Sequence, residues 1–106
     1  MFGKVIKYIE AVVKDSMKAE NRGSALPRIE KMVVSRPAQN KIMFWVKGQD
    51  LEGIKEYARV RRRVAYRLKQ NLKKYLPELP EWVEQVDIYP TDLPEQHAVG
   101  EIIEVI

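Results

Sequence analysis

A cluster of arginines and lysines is the part of this chain whose residue types and spacing could do chemistry. Between Leu51 and Leu76 there are nine lysines and arginines and two glutamates. From Pro77 to Ile106 there are eight acidic residues and no lysine or arginine. Guanidinium and ammonium groups donate hydrogen bonds to phosphate oxygens, and a guanidinium can donate two at once. The modest net charge of +4 therefore hides a bipolar chain with a concentrated anion-binding segment.

Helical periodicity over residues 50–76 places most of these basic groups on one side of a predicted basic helix. The opposite, apolar stripe consists of Ile54, Tyr57, Ala58, Val64, Ala65, Leu68, Leu72, Tyr75 and Leu76. We predict phosphate contacts from the outer side chains, which are Arg59, Arg62, Arg63, Arg67, Lys69 and Lys73. Tyr66, at the edge of this arc, could stack on a base. Six phosphate contacts would give a log–log dependence of affinity on salt with a slope of roughly −4 to −5.

The same charges allow two other interpretations. The basic helix could pair with the acidic region 77–106, within one chain or between chains, or it could simply be a solvated face. Arg61 is unusual because the helical pattern places it within the apolar stripe. It must pair with an acid, project into a ligand or partner site, or lie on a helix whose phase differs from the expected one. The acids available to it are Glu84, Asp87, Glu101 and Glu104.

The elements that must position these residues follow from the apolar pattern of the whole chain. The pattern predicts helices over residues 2–18 and 50–76, with Gly23 in a left-handed cap after the first, Asp50 as the N-cap of the second, and Pro77 and Pro80 at its end. It predicts strands over residues 29–35, 41–47, 82–89 and 99–106, with a turn at 36–40. The fold class is therefore α+β, in the order α-β-β-α-β-β. We expect a single compact domain over residues 1–106, with two helices packed on a four-stranded, mostly antiparallel sheet.

Both faces of the second strand are apolar. Ile42, Phe44 and Val46 point to one face and Met43 and Trp45 to the other. One face can meet the helices, whereas Met43 and Trp45 are either a partner interface or core residues under a loop.

The composition argues against several functional classes. The chain has no cysteine, one histidine (His97) and no glycine-rich phosphate loop, so we expect no catalytic residues, no metal site, no cofactor and no small-molecule substrate. The longest apolar run, residues 42–46, is far shorter than the ~20 residues that span a bilayer. We therefore expect a cytoplasmic protein, of a host cell or a virus-infected cell, that is not an enzyme and has no membrane partner.

Part of the chain resembles a known RNA-binding family. The run Val33-Val34-Ser35-Arg36, a second strand, and a basic helix that ends near Pro77-Glu78-Leu79 before another strand resemble the KH-like fold of ribosome-binding factor A. The resemblance covers residues 1–90 and implies binding to small-subunit ribosomal RNA. The chain departs from the family in having no glycine at Tyr57–Arg61, where a small-residue kink is expected, and in its additional last strand.

The predicted architecture is also similar to small phage connector and tail-completion subunits, which combine a leading helix, a compact sheet and a bipolar surface. Two hypotheses follow. The first is a small nucleic-acid-binding accessory protein, with RNA slightly favoured over DNA, that uses the cationic helix face. The alternative is a self-assembling structural or adaptor subunit, a homo-oligomer or partner of another protein, held by contacts between the basic helix and the acidic tail. Arg61, Met43 and Trp45 are the candidate residues of such a partner interface.

Overall fold

The computed structural model describes residues 2–22, 26–75 and 83–106. Its helices are α1 (Phe2–Ala19), α2 (Glu52–Glu56), α3 (Ala58–Tyr75) and α4 (Pro94–His97), and its strands are β1 (Arg28–Ala38), β2 (Lys41–Gln49), β3 (Gln85–Pro90) and β4 (Glu101–Val105). In this part of the chain no helix has the length and apolar character needed to cross a lipid bilayer.

Helix α1 forms where apolar residues recur every three or four positions, and it buries Val5, Ile9, Val12 and Val13. It ends at Ala19, within one residue of the predicted end at residue 18. Asn21 adopts a left-handed conformation (φ 54°), and the amides of residues 21 and 22 donate to the carbonyls of residues 18 and 17. This is a helix-ending motif in which asparagine takes the place usually held by glycine. The predicted cap residue, Gly23, lies outside the described residues.

Strands β1 and β2 form the predicted hairpin, but both strands are longer than predicted. They pair antiparallel from Arg28 opposite Gln49 to Ala38 opposite Lys41, so Gln39 and Asn40 make the turn. Neither turn residue has a positive φ, and the Gln39 carbonyl accepts two hydrogen bonds from the Arg36 guanidinium (3.2 and 2.8 Å).

The sheet has the order β3-β2-β1-β4, with β4 antiparallel to β1 and β3 parallel to β2. The prediction of an α+β fold with a four-stranded sheet is thus confirmed. The prediction of two helices in the order α-β-β-α-β-β is wrong, because four helices are described. The parallel pair is possible because α2 and α3 carry the chain from the end of β2 back to the start of β3.

The predicted helix over residues 50–76 is two helices. Tyr57 has an extended backbone (φ −114°, ψ 102°) and separates α2 from α3. Asp50 is not the predicted cap, because it has a positive φ of 57° and the N-cap position belongs to Leu51, which makes no side-chain cap hydrogen bond. Pro77 and Pro80, predicted to end the helix, lie outside the described residues.

The break at Tyr57 also changes the helical phase. Val60, Val64 and Leu68 form the buried stripe of α3, whereas Ala58, which a continuous helix would bury, is exposed. Arg61 therefore lies at the border of the buried stripe and not in its middle, and it is half-buried.

The main core lies between the helices and one face of the sheet. It includes the α1 and α3 stripes together with Met32, Val34, Ile42, Phe44 and Ile88 from the three neighbouring strands β1, β2 and β3. No residue of β4 belongs to this cluster.

The second face of the sheet is covered by the chain that connects β3 to β4. Trp45 is only 7% exposed there, its Nε1 donates to Ser35 Oγ (2.7 Å), and that hydroxyl donates to the carbonyl of Val99 (2.8 Å). The Tyr89 ring contacts the Trp45 ring edge-on, with centroids 5.5 Å apart. Trp45 is therefore an interior residue of this chain, whereas Met43 beside it is half-buried.

Candidate nucleic-acid interface

The solvent side of α3 carries a ridge of cations around one aromatic ring. We define the basic ridge as Arg59, Arg62, Tyr66 and Lys69, which recur at three- and four-residue steps and are all exposed. The Tyr66 side chain is 61% exposed, and its hydroxyl accepts a hydrogen bond from Gln70 Nε2 (2.9 Å). The ring is thus held on the surface among cations, where a planar ligand could stack on it.

Acidic side chains neutralise α3 only in part. Arg61 Nε lies 3.9 Å from Asp87 Oδ1, and Arg63 Nη2 lies 3.9 Å from Glu20 Oε1. Both pairs are long and partly exposed, and pairs of that kind contribute at most about 1 kcal/mol. Among the described residues, the three cations of the basic ridge have no acidic group within 4.0 Å.

Among the described acids of residues 83–106, Glu84 and Asp87 lie beside α3, whereas Glu95, Glu101 and Glu104 lie away from it. Glu84 accepts from Asn40 Nδ2 (2.9 Å), Glu95 pairs with Lys31, and Glu101 and Glu104 lie on β4 at the opposite edge of the sheet from β3. Asp87 is the acid of the described region 83–106 that pairs with α3. Among the described residues no acid pairs with the basic ridge, so the positive potential of these side chains faces solvent.

A groove separates α3 from the β3 edge of the sheet. It has a volume of about 370 Å³ and is lined by Lys41, Arg61, Arg62, Ala65, Tyr66, Lys69, Glu84, Gln85, Val86 and Asp87. Its two walls differ in chemistry. The helix wall and Lys41 present cations for phosphates, and the β3 wall presents carboxylate and amide oxygens that can accept hydrogen bonds from base amino groups.

A second cleft lies on the other side of the ridge, where α2 meets α3. It has a volume of about 360 Å³ and is lined by Glu20, Arg22, Glu56, Tyr57, Ala58, Arg59 and Arg62. The Arg22 guanidinium lies 4.1 Å from the centre of the Tyr57 ring, which is a cation–π contact. Arg62 lines both clefts, so it is the central residue of the interface.

The structure divides the residues that the sequence nominated for nucleic-acid binding into two groups. Arg59, Arg62, Tyr66 and Lys69 form the ridge. Arg63 pairs with Glu20, just after α1, and Arg67 is half-buried, with its backbone carbonyl accepting from the Tyr8 hydroxyl of α1 (3.3 Å). The side chain of Lys73 lies outside the described part of the chain.

The sequence analysis named Glu84 only as a possible partner of Arg61, and it did not place Lys41 or Gln85 beside the basic helix. These residues meet the helix because β2 pairs in parallel with β3, with Lys41 opposite Gln85. Periodicity within single elements cannot reveal that pairing. The helical pattern of residues 58–69 does identify the ridge, because the outer face of a helix depends only on spacing.

Comparison of the chain with protein-family models, with curated proteins and with solved structures finds no match. Within residues 2–22, 26–75 and 83–106, no group of three or more histidine, aspartate or glutamate side chains is placed to hold a metal ion. The basic ridge and its two clefts are therefore the features of this chain that bear on its function.

Proposed function

We propose that this protein is a small nucleic-acid-binding accessory protein that contacts phosphates with the basic ridge of α3. The observation that carries the proposal is the set of three ridge cations, Arg59, Arg62 and Lys69, that have no acidic partner among the described residues and surround an exposed tyrosine. Unneutralised cations at helical spacing attract a polyanion, because each phosphate contact releases a condensed counterion.

Single-stranded RNA is the class of ligand that the clefts favour. The phosphates of a single strand can contact the ridge while an unpaired base stacks on Tyr66. The edge of that base can then face the oxygens of Glu84, Gln85 or Asp87. A duplex would offer the ridge only its phosphates, since the major groove of an RNA helix is too deep and narrow for side chains to read.

The dependence of binding on salt tests the proposal. Four cations line the proposed path of the RNA strand, and they are Arg59, Arg62, Lys69 and Lys41. For single-stranded RNA they predict that the logarithm of the binding constant falls with the logarithm of salt concentration with a slope of roughly −3. Affinity should therefore fall roughly 50-fold between 50 and 200 mM salt. The measurement is fluorescence anisotropy of a labelled single-stranded 12-nucleotide RNA of mixed sequence.

A blunt duplex of the same sequence is the matched control ligand. We expect the single strand to bind more tightly than the duplex at 50 mM salt, because only unpaired bases can reach Tyr66. The absence of any binding at 50 mM salt, or a slope near zero, would contradict the proposal.

A second candidate function is self-assembly through the basic helix and the acidic tail. It is favoured by the positions of Glu101 and Glu104, which lie on the far edge of the sheet from α3 and have no ion pair among the described residues. Because α3 and the acids of β4 lie far apart in one chain, a contact between them joins two different chains head to tail. Oligomers held in this way should dissociate as salt is raised, because their contacts are exposed charges.

A further inference from the structure

One carboxylate on the β3 wall of the groove is held in place by a single neighbour. Glu84 is exposed, its Oε2 accepts a hydrogen bond from Asn40 Nδ2 (2.9 Å), and its backbone N–H donates to the Asn40 carbonyl (2.9 Å). Asn40 thus fixes both the backbone and the side chain of Glu84. A side chain that is ordered before binding loses little conformational freedom when it contacts a ligand.

Among the described residues, no cation pairs with this carboxylate. Lys41 and Lys69 line the same groove, but within residues 2–22, 26–75 and 83–106 no lysine or arginine nitrogen lies within 4.0 Å of a Glu84 oxygen. In these ranges Asn40 supplies the hydrogen-bond donor to the Glu84 side chain, and it binds Oε2. A carboxylate accepts several hydrogen bonds, so Glu84 has unused acceptors at the wall of the groove.

Asp87, the other carboxylate of this wall, is partly balanced within the chain. Its Oδ1 accepts from the backbone N–H of Ile88 (2.8 Å) and lies 3.9 Å from Arg61 Nε. Glu84 is therefore the stronger candidate to accept hydrogen bonds from a ligand.

The rest of the groove suits the flat ring of a base. Ala65 and Val86 are half-buried apolar residues of its lining, and the Tyr66 side chain is 61% exposed. The apolar faces of a base can stack on such a ring. The volume, about 370 Å³, is near the lower end of the roughly 300 to 1,000 Å³ of small-molecule clefts, so the groove suits one nucleotide.

The two oxygens of a carboxylate distinguish guanine from the other bases. The Watson–Crick edge of guanine carries two adjacent donors, N1–H and the N2 amino group, which match two adjacent acceptors. Adenine and cytosine carry one amino donor beside a ring nitrogen that accepts, and uracil carries one N–H between two carbonyl oxygens. In each of these three bases an acceptor would face a carboxylate oxygen, and the contact would be repulsive.

We propose that the groove between α3 and β3 selects guanine in single-stranded RNA. Glu84 is the residue that reads the base, and Asn40 is the residue that positions Glu84. The cations of the basic ridge hold the phosphates on either side of that base, and Tyr66 stacks on its face. This selectivity rests on the proposed function, since it requires the RNA strand to lie on the ridge.

RNAs of seven nucleotides with one variable central base test the selectivity. All the other positions are uridine, so every strand offers the same phosphates. By fluorescence anisotropy at 50 mM salt, we expect the guanine strand to bind about tenfold more tightly than the all-uridine strand, because it alone forms the paired contact. Hypoxanthine keeps N1–H but lacks the amino group, so its strand should bind about threefold more weakly than the guanine strand.

Variants of the protein identify the group that reads the base. Glu84→Gln keeps the size of the side chain and an acceptor for Asn40, but it replaces one carboxylate oxygen by a donor. The preference for guanine over uracil should then fall from about tenfold to about twofold or less. Asn40→Ala leaves Glu84 without its partner, so we expect an intermediate preference of about threefold.

Glu101→Gln is the matched control, since it removes the same charge from β4 at the opposite edge of the sheet. It should leave the preference for guanine unchanged. The ratio of the two affinities is the readout, because loss of a negative charge strengthens the binding of every strand to a similar extent.

The outcomes separate the selectivity from the proposed function. Equal affinities for the guanine and uridine strands, or a full preference kept by Glu84→Gln, would overturn the selectivity and leave the phosphate-binding ridge as proposed. No binding of any strand would overturn both. Guanosine monophosphate carries one phosphate, so it should displace the labelled strand only at a concentration about 100-fold higher than the unlabelled strand does. Displacement at equal concentrations would assign the groove to a free nucleotide and overturn its assignment to RNA.

Discussion

Replacing Arg59, Arg62 and Lys69 together by glutamate is expected to weaken binding to single-stranded RNA by about 100-fold or more at 50 mM salt. Each of these exposed side chains can form a hydrogen bond with a phosphate, worth about 1 kcal/mol net, so three losses give about 100-fold, and each glutamate adds repulsion. The salt slope should also fall by about 2, because roughly 0.7 is lost for each phosphate contact to a single strand. Anisotropy titrations at several salt concentrations measure both effects.

The matched control carries the same change of charge elsewhere on the surface. Lys4, Lys14 and Lys47 are exposed on α1 and at the end of β2, and they line neither cleft beside the ridge. Their replacement by glutamate should weaken binding less than tenfold, through the change in net charge alone. Equal losses for the two triple variants would show that binding follows net charge and not the ridge.

Replacing Phe44 by alanine is expected to lower the free energy of unfolding by about 3 to 5 kcal/mol. Phe44 is completely buried on β2, between β1 and β3 and under the helices, so its removal leaves a cavity among residues from several elements. This loss is a large share of the roughly 5 to 15 kcal/mol that stabilises a domain. Unfolding in urea, followed by circular dichroism, gives the difference.

Met43→Ala is the control for that variant, since residue 43 is the neighbour of Phe44 on the same strand and points to the second face. Met43 is half-buried and lies outside the main core, so we expect a loss of about 1 kcal/mol. If Met43→Ala is as unstable as Phe44→Ala, the main core does not lie on the face of the sheet that carries Phe44.

Patterns within single elements predicted most of the secondary structure, because α1 and the β1–β2 hairpin have strong periodicity and clear turn residues. The break between α2 and α3 was not predictable, since neither Tyr57 nor Ala58 is a helix breaker. α4 was missed because it is four residues long and lies in a segment read as a polar connection. The parallel pairing of β3 with β2 depends on how α2 and α3 cross the sheet, and no local pattern encodes that path.

The candidate site was predictable to the extent that it belongs to one helix. Arg59, Arg62 and Lys69 share a face at any helical phase, so the ridge followed from spacing alone. Arg61 was placed within the apolar stripe and Val60 was left out of it. The reason is that the pattern was read on one continuous helix from residue 50, whereas α3 begins at Ala58. Lys41 and the β3 oxygens join the site through tertiary contacts. Trp45, a candidate for a partner interface, is buried by the chain that follows β3.

An NMR titration with the single-stranded RNA locates the binding surface on the protein. If the basic ridge is the binding surface, the amide signals of residues 59–69 and of Lys41 and Gln85 should shift first as ¹⁵N-labelled protein is titrated at 50 mM salt, while those of β4 stay in place. Shifts confined to β4 or to the face that carries Met43, with the signals of α3 unchanged, would contradict the account.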